Sequence, residues 1–302
     1  NIIHITAGTN WTAGWYEVVS VSGGGAVLDR ACGSVDVLAA GTWYLGGAMS
    51  LVSTLDRDLF ALTTNGSVFF VKSGTYVLGE TLLTIACTNP SPCNIEGFAT
   101  VRGDHPTGST RPIIDSGAGS STIQSATNLS YLQFTGSGTP MVQVVNDSLI
   151  QHVKFINTST TANREALRLA GLRTQVMYCE FVSHRGYGIY VADADNGIYY
   201  SWIHDSDVGI WSTGVTQRTQ VIGNLFSSNF DAAMEYTGTS TSGGVFIAYN
   251  TFYGAENTYG RGINTLTSDA TVFQVYGNIF FGFTTAVFFT PAQLFGWGDY
   301  NN

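Results

Sequence analysis

Three short stretches gather most of the scarce titratable side chains in the middle of this sequence. They are His184 with Arg185, then His204, Asp205 and Asp207, then Asn229 with Asp231. Each follows an apolar residue, Phe181, Ile203 or Phe226, at intervals of 22 and 23 residues. If those intervals are turns of one repeat, the polar groups stack on successive layers about 4.8 Å apart. Carboxylates separated by about 5–10 Å can act as acid and nucleophile, or as acid and base with water, on a glycosidic bond. A His or Arg beside them could abstract a proton or stabilise charge next to a uronate carboxylate. The candidate catalytic set is therefore His184, His204, Asp205, Asp207 and Asp231. A structural explanation stands beside it, because turns favour Asp, Asn and Ser for backbone reasons alone.

A second set is aromatic. Tyr131, His152, Tyr178 and Tyr200 recur at one offset in the repeat, and Tyr249 follows after one gap. Tyr190 and Trp211 are neighbours on another track, with Arg168 below. Flat rings suit the C–H-rich faces of sugars. Tyr178, Tyr190, Tyr200 and Trp211, with Arg185, are the candidate glycan-binding residues. The same stripe would also suit a seam between protomers of a trimer, or a surface covered by loops.

Metal chemistry has little to build on. Cys32, Cys87, Cys93 and Cys179 form no CxxC pair, and the 5 His are not clustered with Cys. No metal or other cofactor is expected, and calcium finds no support in these residues. Cys87 and Cys93 bracket a Pro-containing loop and would either bridge or remain thiols. Cys179 falls at a core position, as an inert thiol.

The elements that position these groups come from a repeat. Phe134, Phe155, Phe181, Ile203, Phe226, Phe252 and Phe280 form one column, spaced 21, 26, 22, 23, 26 and 28 residues apart. A second track runs through Met141, Leu167, Ile189, Ile210, Ala233, Ile263 and Val287. Short alternating segments between Gly, Ser, Asn and Asp turns mean strands. A period near 24 residues with two or three strands per turn predicts an all-β fold, a right-handed parallel β-helix. Two residues before the first column, Asn224, Asn250 and Asn278 should stack as a buried amide ladder.

Residues 1–45 read as a separate N-terminal region, with a hairpin from Trp15 to Leu28 turning at Gly23–Gly25. Residues 46–302 read as the β-helix, opened by an amphipathic capping helix over 49–62. The chain starts at Asn1, so either a leader was removed or a longer chain is expected. Its last coil is expected to be covered by further chain or by a partner.

Composition bounds the function. With 12 Lys+Arg against 21 Asp+Glu, net charge −9 and only 11% charged residues, the chain cannot neutralise a phosphate backbone. Nucleic acid is thus excluded as a partner. No run of 18 apolar residues exists to span a membrane. Charges stacked every 4.8 Å or so would repel their own kind, so the low charge is expected of the fold.

The Val71-Lys-Ser-Gly74-Thr-Tyr76 opening and the Asn-x-Phe coils resemble right-handed parallel β-helix proteins of the pectate-lyase-like superfamily, over roughly residues 46–289. The string from Glu96-Gly97-Phe98 through Arg102-Gly103-Asp104 to Arg111-Pro112 is similar to β-helix proteins of tailed phages and environmental bacteria. Trp202-Ile203-His204-Asp205 departs from the Trp-Ile-Asp-His of the main pectate lyases, and polygalacturonase signatures are absent. The resemblance implies an extracellular or virion-surface adhesin, such as a tail fibre, spike or capsid-decorating protein. It would contact host glycans and assemble with other virion or filament subunits, as a homo-oligomer such as a trimer. A secreted polysaccharide lyase or glycoside hydrolase is the alternative, and a structural filament or shell subunit without ligand is a third. Arg102-Gly103-Asp104 reads as a tied-down loop, not an integrin motif.

Overall fold

Apolar residues alternate with polar ones over only three to six positions at a time, so no strand here is stable alone. They are stabilised by pairing in parallel with the same segment of the next coil. A computed structural model describes residues 2–23, 25–33, 41–46, 66, 68–77, 84–85, 87, 92–119, 121–123, 127–183, 185–213, 218–237, 244–254, 260–266, 272–288 and 294–296. The capping helix expected over 49–62 lies outside these residues.

Each coil contributes one strand to each of three parallel sheets, making the chain a parallel β-helix. Sheet I runs from Val68–Lys72 to Leu294–Gly296 in ten strands. Sheet II runs from Thr75–Val77 to Ile279–Phe281 in nine, and sheet III from Thr84–Ile85 to Thr285–Phe288 in nine. A separate antiparallel sheet orders Gly25–Leu28, Gly14–Ser22, Ile2–Gly8 and Gly41–Gly46, with Ser22 opposite Gly25 at the hairpin turn. Among the described residues, no helix is long and apolar enough to cross a membrane.

The interior is built from columns. Phe134, Phe155 and Phe181 stack with centroids 5.5 and 4.9 Å apart, and Phe226, Phe252 and Phe280 at 4.7 Å. Ile203 occupies the same inward register between them. Each fully buried Phe contributes about 1.5–3 kcal/mol before entropy is counted. On sheet III the inward column is Val142, Leu167, Ile189, Ile210, Met234, Ile263 and Val287. Met141 and Ala233 of the expected track therefore lie one position early. The pairing skips one position there, running from Glu165 with Tyr187 directly to Leu167 with Ile189 in unchanged register. The skipped position holds small buried residues such as Ala166 and Gly188, so two successive side chains face inward there.

The corner between sheets I and II is a left-handed residue on each coil. Tyr131, His152, Tyr178, Tyr200 and Tyr249 have φ of 49–57°, and Gly223 and Gly277 take the same place at 70° and 61°. A non-glycine residue there costs roughly 1–2 kcal/mol. Ring stacking offsets it, since His105, Tyr131, His152, Tyr178 and Tyr200 follow one another at 4.5–5.5 Å with interplanar angles of 4–15°. Tyr200 and Tyr249 then lie over Gly223 and Gly277, where a Cβ would come within 2.6 and 2.8 Å of the ring.

Inside that corner stands the amide ladder. Asn250 Oδ1 accepts from the backbone N–H and side-chain amide of Asn224, at 2.8 and 3.0 Å. Its own amide donates to Val221 O and to Asn278 Oδ1. The opposite corner, between sheets III and I, alternates charge: Asp147 pairs with Arg173, and Asp195 with Arg218. Among loop groups, Asp104 accepts from the N–H groups of Ala99, Thr100 and Val101, and Arg102 lies 4.9 Å over Phe70. Arg102-Gly103-Asp104 is thus tied into its own loop. Cys87 and Cys93 form a disulfide with Cα atoms 5.9 Å apart. Burial pushes the Cys179 thiol up to about 12.

Candidate functional site

The outward positions of sheets II and III, and the corner joining them, carry the chemistry. On sheet II, Lys154, Glu180 and Trp202 are lateral neighbours on successive coils, each one residue before an inward Phe or Ile. Lys154 Nζ sits 2.6 Å from Glu180 Oε1. His204, two residues along the strand from Trp202, places Nε2 3.4 Å from the same Glu180 oxygen and Nδ1 2.8 Å from Asp205 Oδ2. Both ring nitrogens therefore face carboxylates, the arrangement of an imidazolium. Burial opposes the charge on His204, but the bonds to Glu180 and Asp205, with their charges, outweigh it and raise its pKa. Glu180 is lowered to about 2, chiefly by the His204 hydrogen bond, with burial opposing and Lys154 assisting.

Trp202 covers this network. Its ring stacks on His204 with centroids 3.9 Å apart, and its indole N–H donates to Ser227 Oγ at 2.8 Å. His204 is left 8% exposed while Trp202 is 43% exposed. One face of the indole is held by the imidazole, and the residue as a whole remains partly open to solvent.

On sheet III the outward rings cluster. Trp211 packs 4.2 Å from Tyr187 and 4.9 Å from Tyr190. Arg168 lies 4.8 Å over Tyr190 on the other side and pairs with the buried Glu165. The Tyr190 hydroxyl bonds Thr213, and that of Tyr187 donates to Asn163 at 2.8 Å. Beyond Trp211 stands Glu235, which accepts from Asn264 at 2.9 Å. Burial, then the charges of Glu235, Glu165 and Asp207, push the Tyr187 phenol up to about 12.

The corner between these faces holds Arg185, Asp207 and Asp231. Asp231 N–H donates to Asp207 O at 2.8 Å, so the two residues sit on adjoining coils. Burial first, then the charge of Asp231, raises the Asp207 pKa, with Arg185 opposing. Asn229 is instead structural: buried, it bonds Ile203 O and Ser206 N–H.

Of the residues singled out from the sequence, His204 and Asp205 are thus bonded together. Asp207, Asp231 and Arg185 meet one corner away, and Tyr190 and Trp211 stack. His184 lies outside the described residues. Tyr178 stacks between His152 and Tyr200, so its two faces are occupied by neighbouring rings. Tyr200 has one face on Tyr178 and lies against Gly223. Sequence reasoning passed over Lys154, Glu180, Trp202, Glu165 and Tyr187. The first three shared a detectable signal, their common place just before the inward column.

No family model matches this sequence, and no curated protein does. Solved structures do. A PL6 alginate lyase in complex with trisaccharide superposes with TM-score 0.55 at 15% identity, over 75% of this chain and 51% of that one. An alginate lyase from Paenibacillus sp. strain FPU-7 gives TM-score 0.55 at 12% identity, over 82% and 95%. A tailspike double mutant of E. coli bacteriophage HK620, in complex with pentasaccharide, gives 0.51 at 10%, over 77% and 60%. The chain spans about half the length of the first of these. At these identities the likeness is one of fold, and the architecture they share with this chain is the parallel β-helix.

Proposed function

We propose that this chain is a glycan-contacting β-helix protein, of an extracellular or virion-surface adhesin type, that reads sugars with the outward faces of sheets II and III. The observation that carries this is Trp202. A partly exposed indole, braced from behind by a carboxylate-held imidazole, is a fixed platform for a sugar ring, with little ordering left to lose on binding. Trp211 and Tyr190 extend the aromatic surface across the neighbouring face, with the buried Tyr187 packed behind Trp211. The similar solved structures include proteins named as alginate lyases and a tailspike bound to a pentasaccharide, which supports carbohydrate as the ligand class. Assembly with copies of itself or with other virion subunits belongs to the same proposal.

Binding on a glycan array should fall at least about tenfold in Trp202→Ala and less in Trp202→Phe, which keeps a ring. Equal binding by wild type and Trp202→Ala would sink the assignment.

A second reading, a polysaccharide lyase or glycoside hydrolase, is favoured by the Lys154–Glu180–His204–Asp205 chain beneath that platform, with Asp207 and Asp231 nearby. An imidazolium there suits charge stabilisation or proton donation better than proton abstraction. Release of reducing ends or unsaturated sugars, abolished in Asp207→Ala and His204→Ala, is its signature.

A further inference from the structure

We infer, resting on the glycan reading above, that the sugar taken by this face is neutral or amine-bearing and carries no carboxylates. Two of the cations beside the aromatic rings are held in ion pairs, Lys154 by Glu180 and Arg168 by Glu165, while Arg261 donates to Asn264 Oδ1 at 3.0 Å and lies 4.9 Å over Phe288. A polyuronate brings one negative charge per residue and would have to compete with Glu180 and Glu165 for those two cations. At the corner it would meet Asp207 and Asp231 on adjoining coils, opposed by Arg185.

Hydrogen-bond valence points the same way. The polar groups bordering Trp211 and the corner are largely carboxylates, which accept but do not donate. They suit a ligand rich in O–H or N–H donors.

The test is an array of neutral, amine-bearing and uronate oligosaccharides probed with the intact chain at about 0.05 M and about 0.5 M NaCl. Signal should be confined to neutral or amine-bearing sugars, with neutral binding changing less than about twofold between the two salts. The double variant Asp207→Lys, Asp231→Lys should gain uronate signal by about tenfold or more. Should that variant misfold by circular dichroism, Asp207→Asn, Asp231→Asn should show a smaller gain in the same direction. Wild-type binding to uronates equal to or better than to neutral sugars overturns the inference and leaves the glycan reading standing. A uronate signal unmoved in a folded variant overturns it as well. A folded chain that binds no glycan overturns both.

Discussion

Glu180 is the residue on which most of the sheet II chemistry converges, because it meets both Lys154 and His204. Held near 2 against an ordinary 4.5, its carboxylate contributes stability above about pH 4.5 and loses it as pH falls toward 2. His204, held above its ordinary 6.5, contributes fully below 6.5 and loses that contribution as pH rises through its folded value. The network is therefore strongest between about pH 4.5 and 6.5. Glu180→Gln should lower stability by about 2 kcal/mol near pH 6 and by less at pH 9, read from urea unfolding at each pH. The same variant should lower the His204 pKa in an NMR titration. An unchanged His204 titration would show that Asp205 alone holds the imidazolium. Glu180 and Trp202 were legible only as outward positions, since the identity of their partners on the adjoining coils depends on loop lengths.

At the scale of the element, each turn is held by what stacks beneath it. Asn250→Leu removes four hydrogen bonds and leaves the backbone N–H of Asn224 without its acceptor inside the core. A loss of about 3 kcal/mol in chemical denaturation is expected. Gly223→Ala places a Cβ 2.6 Å from the Tyr200 ring at a φ of +70° and should cost about 1–2 kcal/mol. Restored stability in the double variant Gly223→Ala, Tyr200→Ser would assign part of that cost to the ring. The Asn ladder and the Phe column were readable from spacing, because identical side chains recur at identical depth. The one-residue shift on sheet III was not. Two inward positions in succession break the alternation from which strand faces are read, and only pairing partners reveal which of the two sits in the column.

Across the whole molecule, the low charge has a geometric cause. Coils about 4.8 Å apart place equivalent side chains in columns, so a charged column tolerates only alternating signs. The Asp147, Arg173, Asp195, Arg218 corner obeys this rule. Asp195→Arg should lower Tm at low ionic strength and recover much of the loss at about 0.5 M salt. An equal loss at both salts would point to lost hydrogen bonds in place of charge repulsion.

Spacing alone is enough to establish the repeat, its inward columns and hence the parallel β-helix, because burial repeats with the period of the coil. Which polar groups meet was decided by tertiary structure. Asp205 and Asp207, two residues apart, turn to different faces: Asp205 binds His204 on sheet II, while Asp207 joins Asp231 at the corner. The aromatic residues divide in the same way. Tyr178 has rings stacked on both faces within a ladder, whereas Trp202 stacks on a single imidazole. Residue type and spacing are nearly alike in the two cases. The left-handed backbone at the corner and the extended backbone of the strand set the direction of each ring, and direction decides whether it can meet a ligand.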